Sequence, residues 1–247
     1  MATKHTRPRL LGLAQVAQHV RDIAKARAFY RGFLGCEEPF TFSHPDGSLR
    51  AALVKIDECQ SVQLLPGAAP AGGSLDHFGL ETDDAEAMRL YLKSRGISVP
   101  DQVQKGKFTA CFFRILDPEG HTVEFMQFRP ESWTIGDLGL HLPATRLAQH
   151  LAYVGLPARQ PEPTAAFYHE VLGLAEMRRS QDAAGRLAGI HLRVPDGSDG
   201  IVLRARTGPE TATIHDLGFR VAKRRADDRR PVHTVDPDGI PVELLES

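Results

Sequence analysis

With 247 residues, 42% of them hydrophobic, the chain is long enough for one large domain or two small ones with a full core. Its 30 Lys+Arg balance 31 Asp+Glu, leaving a net charge of -1 and no long single-sign run, so neither nucleic acid nor an anionic membrane is indicated as a partner. The N-terminal MATKHTRPRLLGLAQV lacks the apolar core of a signal peptide, no stretch is apolar enough to span a bilayer, and the scattered Cys36, Cys59 and Cys111 read as buried, reduced thiols of a cytoplasmic protein.

Leu11 to Val20 reads as the first strand, with Leu13, Gln15, Ala17 and His19 on one face by simple alternation. Asp22 then caps a helix whose apolar stripe is Ile23, Ala26, Tyr30 and Phe33, and Gly35 stops it. Three strand-like runs follow, EPFTFSH, RAALVKI and SVQLLP, separated by turn signals such as Asp46-Gly47. GAAPAGG, residues 67–73, is a flexible connector with no phosphate-loop lysine. The order then restarts. LDHFGLET is a strand, Asp83 or Asp84 caps a helix through Leu92 to a stop at Gly96, and FTACFFRIL and HTVEFMQF complete a second βαβββ unit within residues 9–129. The Pro-, Gly- and Trp133-bearing stretch that follows predicts a linker over 130–148 and a C-terminal half over 149–247. There HLAYVGL is a strand, a helix covers about Thr164 to Leu172, and AEMRRS, GIHLRV and GIVLRAR are strands. No helix fits between HDLGFRV and PVHTVDPDG, so the fourth unit is reduced; KRRADDRR between them is of mixed sign and reads as a solvated face.

The halves repeat each other. FYRGFLG, Phe29 to Gly35, and FYHEVLG, Phe167 to Gly173, share FYxxxLG. DPEGHTVEF, Asp117 to Phe125, and DPDGIPVEL, Asp236 to Leu244, are each an Asp-Pro-x-Gly turn running into a strand that carries Glu124 or Glu243.

Paired βαβββ modules carrying FYxxxLG twice and DPxGxxxE twice resemble the vicinal oxygen chelate superfamily, which includes glyoxalase I, extradiol ring-cleaving dioxygenases, fosfomycin-resistance proteins and bleomycin-binding proteins. The resemblance runs from about Leu10 to Glu246. It implies an α+β fold in which tandem modules form two cup-shaped mixed sheets, with metal ligands drawn from the first and last strands of the modules and converging inside each cup. Carried over residue by residue, the ligand positions of the first cup are Gln15, Gln63, His77 and Glu124, and those of the second are Tyr153, Val202, Asp216 and Glu243. Gln15, His77 and Glu124 are the expected metal ligands. A divalent ion with a single Glu would keep an excess charge suited to an anionic bidentate ligand. In the second set Tyr153 replaces the imidazole and Val202 cannot coordinate, leaving Tyr153, Asp216 (or its neighbour His215) and Glu243 as the poorer site.

The expected function is therefore a divalent-metal enzyme (Fe, Zn, Mn or Ni) of the glyoxalase or dioxygenase type, either a lyase/isomerase or an extradiol-type dioxygenase, acting on a small molecule with vicinal oxygens. His19, His121 and Glu81 are candidate bases, with His121 at the cup rim. The alternative is a metal-free binding protein of the drug-sequestering, bleomycin-resistance kind, with Phe40, Phe42, Phe78, Phe112 and Phe113 lining a flat-ligand pocket. The second half is then a buttress for the first or the contact face of a homodimer.

Overall fold

The computed structural model describes residues 5–68, 74–206, 214, 216–221 and 232–246. The first half contains β1 (Leu10–Val20), α1 (Ile23–Arg27), β2 (Glu37–Ser43), β3 (Leu49–Lys55), β4 (Ser61–Pro66), β5 (Leu75–Thr82), α2 (Ala85–Ser94), β6 (Gln104–Lys105), β7 (Cys111–Leu116) and β8 (Thr122–Gln127). A short helix, α3 (Trp133–Gly136), leads to β9 (Ala148–Ala158), α4 (Pro161–Glu170), β10 (Ala175–Gln181), β11 (Leu187–Arg193), β12 (Gly200–Ala205), β13 (Asp216–Val221), β14 (His233–Val235) and β15 (Pro241–Glu246).

Two curled mixed sheets result, as expected of tandem βαβββ modules. Their strand orders are β2-β3-β4-β1-β5-β8-β7-β6 and β10-β11-β12-β9-β13-β15-β14. In each sheet the first strands of the two modules pair antiparallel, and each is flanked by the last strand of its own module in parallel: β4-β1-β5-β8 in one, β12-β9-β13-β15 in the other. This arrangement brings the ligand-phase positions together at the centre of each cup. In the fourth module the described residues form only β13, β14 and β15; the stretch expected to lack a helix, 222–231, lies outside the described residues, as do KRRADDRR and His215. Among the described residues no helix is long and apolar enough to cross a membrane.

Local chemistry explains the elements. The Asp22 carboxylate accepts from the amides of Ala24 and Lys25, closing the start of α1. The helix then widens into a π-helical run, Ala28–Phe33, before Gly35 leaves with φ +74°. That extra residue per turn changes the predicted stripe: Phe29 joins Ile23 and Phe33 against the core, while Ala26 and Tyr30 are fully buried. At the second helix Asp84 is the cap, accepting from Ala87, whereas Asp83 accepts from the amide of Arg9.

Simple alternation fails along β1. Leu13 pairs with Leu80 and Gln15 with Gly79, so two steps on β1 oppose one on β5, a β-bulge. Leu13 is thereby turned into the core beside Val16, and Gln15 faces the cup.

The repeated motifs meet across the halves. The Tyr168 hydroxyl, from the second FYxxxLG, donates to Asp117 Oδ2 of the first Asp-Pro-x-Gly turn at 2.8 Å. Reciprocally, Gln18 Nε2 bridges Tyr30 of the first FYxxxLG and Asp236 of the second turn, both at 3.1 Å. One continuous hydrophobic core runs between the sheets and includes Tyr30, Phe78, Phe113, Tyr168 and Phe219. The buried Lys55 ammonium ties the segment after α3 to β3, donating to the Asp137 carboxylate (2.9 Å) and to the carbonyls of Asp137 (2.6 Å) and Leu140 (2.9 Å). All three cysteines are free; Cys36 and Cys111 are buried as expected, and Cys59 is half-buried.

Candidate functional site

The first sheet curls around a cavity of about 780 Å³. Gln15 from β1, His77 from β5 and Glu124 from β8 meet at its floor. His77 Nε2 lies 3.0 Å from Gln15 Oε1 and 3.4 Å from Glu124 Oε2. All three side chains are buried. Gly79 makes this approach feasible, because a Cβ there would collide with Met126 and crowd Gln15.

Each donor is oriented from behind. Gln15 Nε2 donates to Ser61 Oγ at 3.1 Å, which turns Oε1 toward His77. Asp76 Oδ1 sits 2.6 Å from His77 Nδ1, favouring the tautomer whose Nε2 lone pair faces the cup. That bond to His77 holds the Asp76 carboxyl down at about 2. An amide oxygen, an imidazole nitrogen and a carboxylate thus converge: with the His77 proton on Nδ1 all three are acceptors and the set calls for a cation, whereas a protonated His77 donates through Nε2 to Gln15 and Glu124. Burial opposes a charged His77, but bonds to Asp76 and Glu124 outweigh it and raise its pKa. Burial likewise opposes ionised Glu124, but His77 and Arg114 outweigh it and lower its pKa. Arg114 supplies one cation: its Nε donates to Glu124 Oε1 at 2.8 Å, and its Nη2 lies 3.4 Å from His77 Nε2. A divalent ion also fits the donor set. Bonds of about 2.0–2.2 Å to O and N ligands imply separations of about 3.0–3.5 Å between neighbouring donors, the range in which both His77 distances fall. Among the described residues no group of three or more His, Cys, Asp or Glu is arranged for a metal, so the set depends on the Gln15 amide as third donor. Gln63 is on the cavity wall, in register with Ala17 and Leu53.

The candidate bases are placed elsewhere. His19 stands behind the floor, with Nε2 3.3 Å from Asp76 Oδ2, and is not among the cavity-lining residues. His121, expected at the rim, is sealed inside the Asp-Pro-x-Gly turn, its Nδ1 2.9 Å from Asp117 Oδ2. Glu81 faces the junction between the halves, where burial, Asp57 and Asp199 raise its carboxyl from 4.5 to about 7. The folded protein therefore holds a proton there that the unfolded chain releases near 4.5, so native stability falls as pH rises between those values. Glu81→Gln is expected to stabilise the protein at pH 8 by about 1–2 kcal/mol, a gain that vanishes near pH 4; urea denaturation at the two pH values checks it.

The aromatic wall differs from the expected one. Phe42 and Phe112 line the cavity, but Phe78 and Phe113 are fully buried in the core and Phe40 lies one ring back. Two residues the sequence reading passed over complete the wall: Phe108, and Trp133 of the expected linker. Trp133 stacks on Phe42 (centroids 5.5 Å, 11°) and on Phe40 (5.3 Å, 28°). Arg114, the partner of Glu124, is a further site residue. Its signal was its position on β7 directly opposite Glu124.

The second cup is assembled differently. The Tyr153 hydroxyl lies 3.0 Å from Asp216 Oδ2 and 2.6 Å from Glu243 Oε2, and Arg204 makes a two-pronged ion pair with Asp216. Tyr153 lies over Gly218, where any Cβ would strike its ring. Burial first, then Asp216 and Glu243, push the phenol's pKa far up, so it stays a neutral hydroxyl between two carboxylates. His191 is nearby and stays neutral, lowered to about 4 by burial and by Arg178 and Arg204. Here a guanidinium and a phenol supply the countercharge and hydrogen that the two acids require. Arg204, in phase with Val202 on β12, is a site residue the sequence reading missed.

Residues 12–125 match the sequence profile of the Glyoxalase/Bleomycin resistance protein/Dioxygenase superfamily. No curated protein matches the chain in sequence. Among solved structures it is similar to homoprotocatechuate 2,3-dioxygenase from Brevibacterium fuscum in complex with 3,4-dihydroxyphenylacetate, with TM-score 0.69 and 17% identity over 99% of this chain and 82% of that one. The enzyme of the same name from Arthrobacter globiformis gives TM-score 0.70 and 18% identity, again over 99% and 82% of the two chains. At this identity the likeness is one of fold.

Proposed function

We propose, for a chain whose residues 12–125 match the Glyoxalase/Bleomycin resistance protein/Dioxygenase superfamily, a divalent-metal-dependent enzyme acting on a small molecule with vicinal oxygens, its centre in the first cup. One observation carries the reading: Gln15 Oε1, His77 Nε2 and a Glu124 oxygen converge, at 3.0 and 3.4 Å around His77, on the floor of the cavity. When bound, the ion would act as a Lewis acid that lowers the pKa of coordinated hydroxyls and fixes their geometry. Gln15, His77 and Glu124 would hold it. Asp76 would keep the His77 proton on Nδ1 and Ser61 would keep the Gln15 oxygen turned inward. Arg114, 44% exposed at its side chain, is placed to move off Glu124 and to pair with negative charge on a bound ligand. Phe42, Phe112 and Trp133 offer a flat wall that orients a planar molecule and excludes water from one side of it.

The relatives in the fold include extradiol enzymes whose named ligand is a dihydroxyphenyl acid, which supports ring-cleaving chemistry within this reading. A metal-free ligand-binding protein is the second reading, favoured by the Arg114–Glu124 pair, because a guanidinium already balances the buried carboxylate.

Elemental analysis of protein purified without chelators decides between them. The expected result is stoichiometric Fe, Zn, Mn or Ni in the native chain and in Glu243→Ala, and its loss in His77→Ala. Failure to take up any of these four metals on reconstitution would leave the binding-protein reading.

A further inference from the structure

The cavity wall has a charge pattern that the floor does not require. Four cationic side chains, Arg50, Lys105, Lys107 and Arg114, face it against two carboxylates, Asp76 and Glu124. The carboxylates are both engaged at the floor, by His77 and Arg114. Arg50, Lys105 and Lys107 form no ion pair among the described residues, in a chain whose overall charge is -1. An excess of positive charge in a concave site attracts an anion.

Position sharpens the argument. Arg50 lies on β3 and Lys105 on β6, each two strands removed from the β1-β5-β8 floor, on opposite sides of it. At the usual strand spacing that is roughly 10 Å from the triad. The curl of the sheet brings those flanks toward each other, and Trp133 bridges them: it stacks on Phe42 of β2, and its amide donates to the Lys107 carbonyl at 2.8 Å. The cations cap the ends of this stack. The Arg50 guanidinium lies 5.3 Å from the Phe42 ring centroid, and the Lys107 ammonium 5.7 Å from that of Trp133. The rim is thus a row of cation, ring, ring and cation above a floor that binds oxygens.

We infer that the ligand of this cup is a planar molecule anionic at both ends, its vicinal oxygens at the Gln15–His77–Glu124 floor and a second oxyanion, about 10 Å away, held at the rim by Arg50, Lys105 and Lys107. The inference rests on the proposed function for its floor end and on the cations alone for its rim end. Arg50, Lys105 and Lys107 are specificity residues: they select for the distal charge and take no part in reaction at the floor.

Anaerobic isothermal titration with 3,4-dihydroxycinnamate and its primary amide tests the rim. The pair shares ring, length and vicinal hydroxyls and differs only in the distal charge. Native protein, loaded with the metal that elemental analysis finds and separately after chelator treatment, is compared with the Arg50→Gln/Lys105→Gln/Lys107→Gln variant and with Lys107→Glu. All these residues are exposed, and circular dichroism melts confirm the fold. The acid is expected to bind about tenfold tighter than the amide to native protein, with the difference shrinking at high salt. In the triple variant the preference should fall to within about twofold with amide affinity unchanged, and Lys107→Glu should weaken only the acid. Quenching of Trp133, the sole tryptophan, would place the ligand in this cup. Equal binding of acid and amide by native protein, or a preference that survives the triple variant, overturns the inference. Rim-dependent preference that is unaffected by chelator or by Glu124→Gln supports the rim and overturns the metal reading; absence of binding by either probe overturns both.

Discussion

Glu124→Gln is expected to weaken divalent-metal binding by about 100-fold or more, the largest effect of any single substitution in the first cup. Among the described residues, Glu124 is the only carboxylate within reach of His77 Nε2. The amide that replaces it keeps the shape of the donor set but removes its one formal negative charge, so the ion would face three neutral ligands. The fold should scarcely notice. Glutamine still offers Arg114 an acceptor, and the Arg114 side chain is 44% exposed, so loss of the ion pair costs under about 1 kcal/mol. Equilibrium dialysis against zinc, with a thermal melt on the same samples, separates the two effects. Glu243→Gln is the matched control: it sits at the equivalent strand position but between Tyr153 and β13, and should leave zinc uptake unchanged. Equal zinc affinity in native protein and Glu124→Gln would remove the first cup as the metal site.

Asp117→Ala is expected to destabilise the protein by about 3–5 kcal/mol, more than any substitution at the cup floor. The Asp117 carboxylate has no exposed surface and accepts from four donors: the amides of Glu119 (2.9 Å) and His121 (2.8 Å), His121 Nδ1 (2.9 Å) and the Tyr168 hydroxyl (2.8 Å). Truncation strands those donors in the interior, where an unsatisfied polar group is expensive. Tyr168→Phe removes one donor without stranding a neutral partner and should cost about 1–2 kcal/mol. Urea denaturation of Asp117→Ala, Tyr168→Phe and the double variant measures the coupling between them. Additive losses would mean that the aspartate serves its own turn only and does not join the halves.

That coupling shows how far the primary structure can be read. FYxxxLG was legible as a helix signature and Asp-Pro-x-Gly as a turn signature, each explicable by neighbours a few residues away. Nothing in either motif states that Tyr168 would reach Asp117, or that Gln18 would join Tyr30 to Asp236, because those pairs form only once the two halves share a core. His121 illustrates the same limit. Its place inside EGHTVE fits a rim residue or a turn residue equally, and the bond to Asp117 made it the latter. Alternation along β1 correctly turned Gln15 toward the cup but misplaced Leu13, because a bulge depends on the pairing strand as much as on the bulged one.

What the amino-acid sequence determined by itself is the repeat, and with it the phase at which Gln15, His77 and Glu124 on one side, and Tyr153, Asp216 and Glu243 on the other, would enter each cup. Strand period and turn position are local properties, carried by neighbours in the chain. Only the tertiary structure decided what surrounds each set: Arg114 from β7 and Trp133 from the expected linker in the first cup, Arg204 from β12 in the second. Those partners arrive across strand pairings and through the curl of a sheet, whose closure depends on the packing of both halves rather than on any one segment.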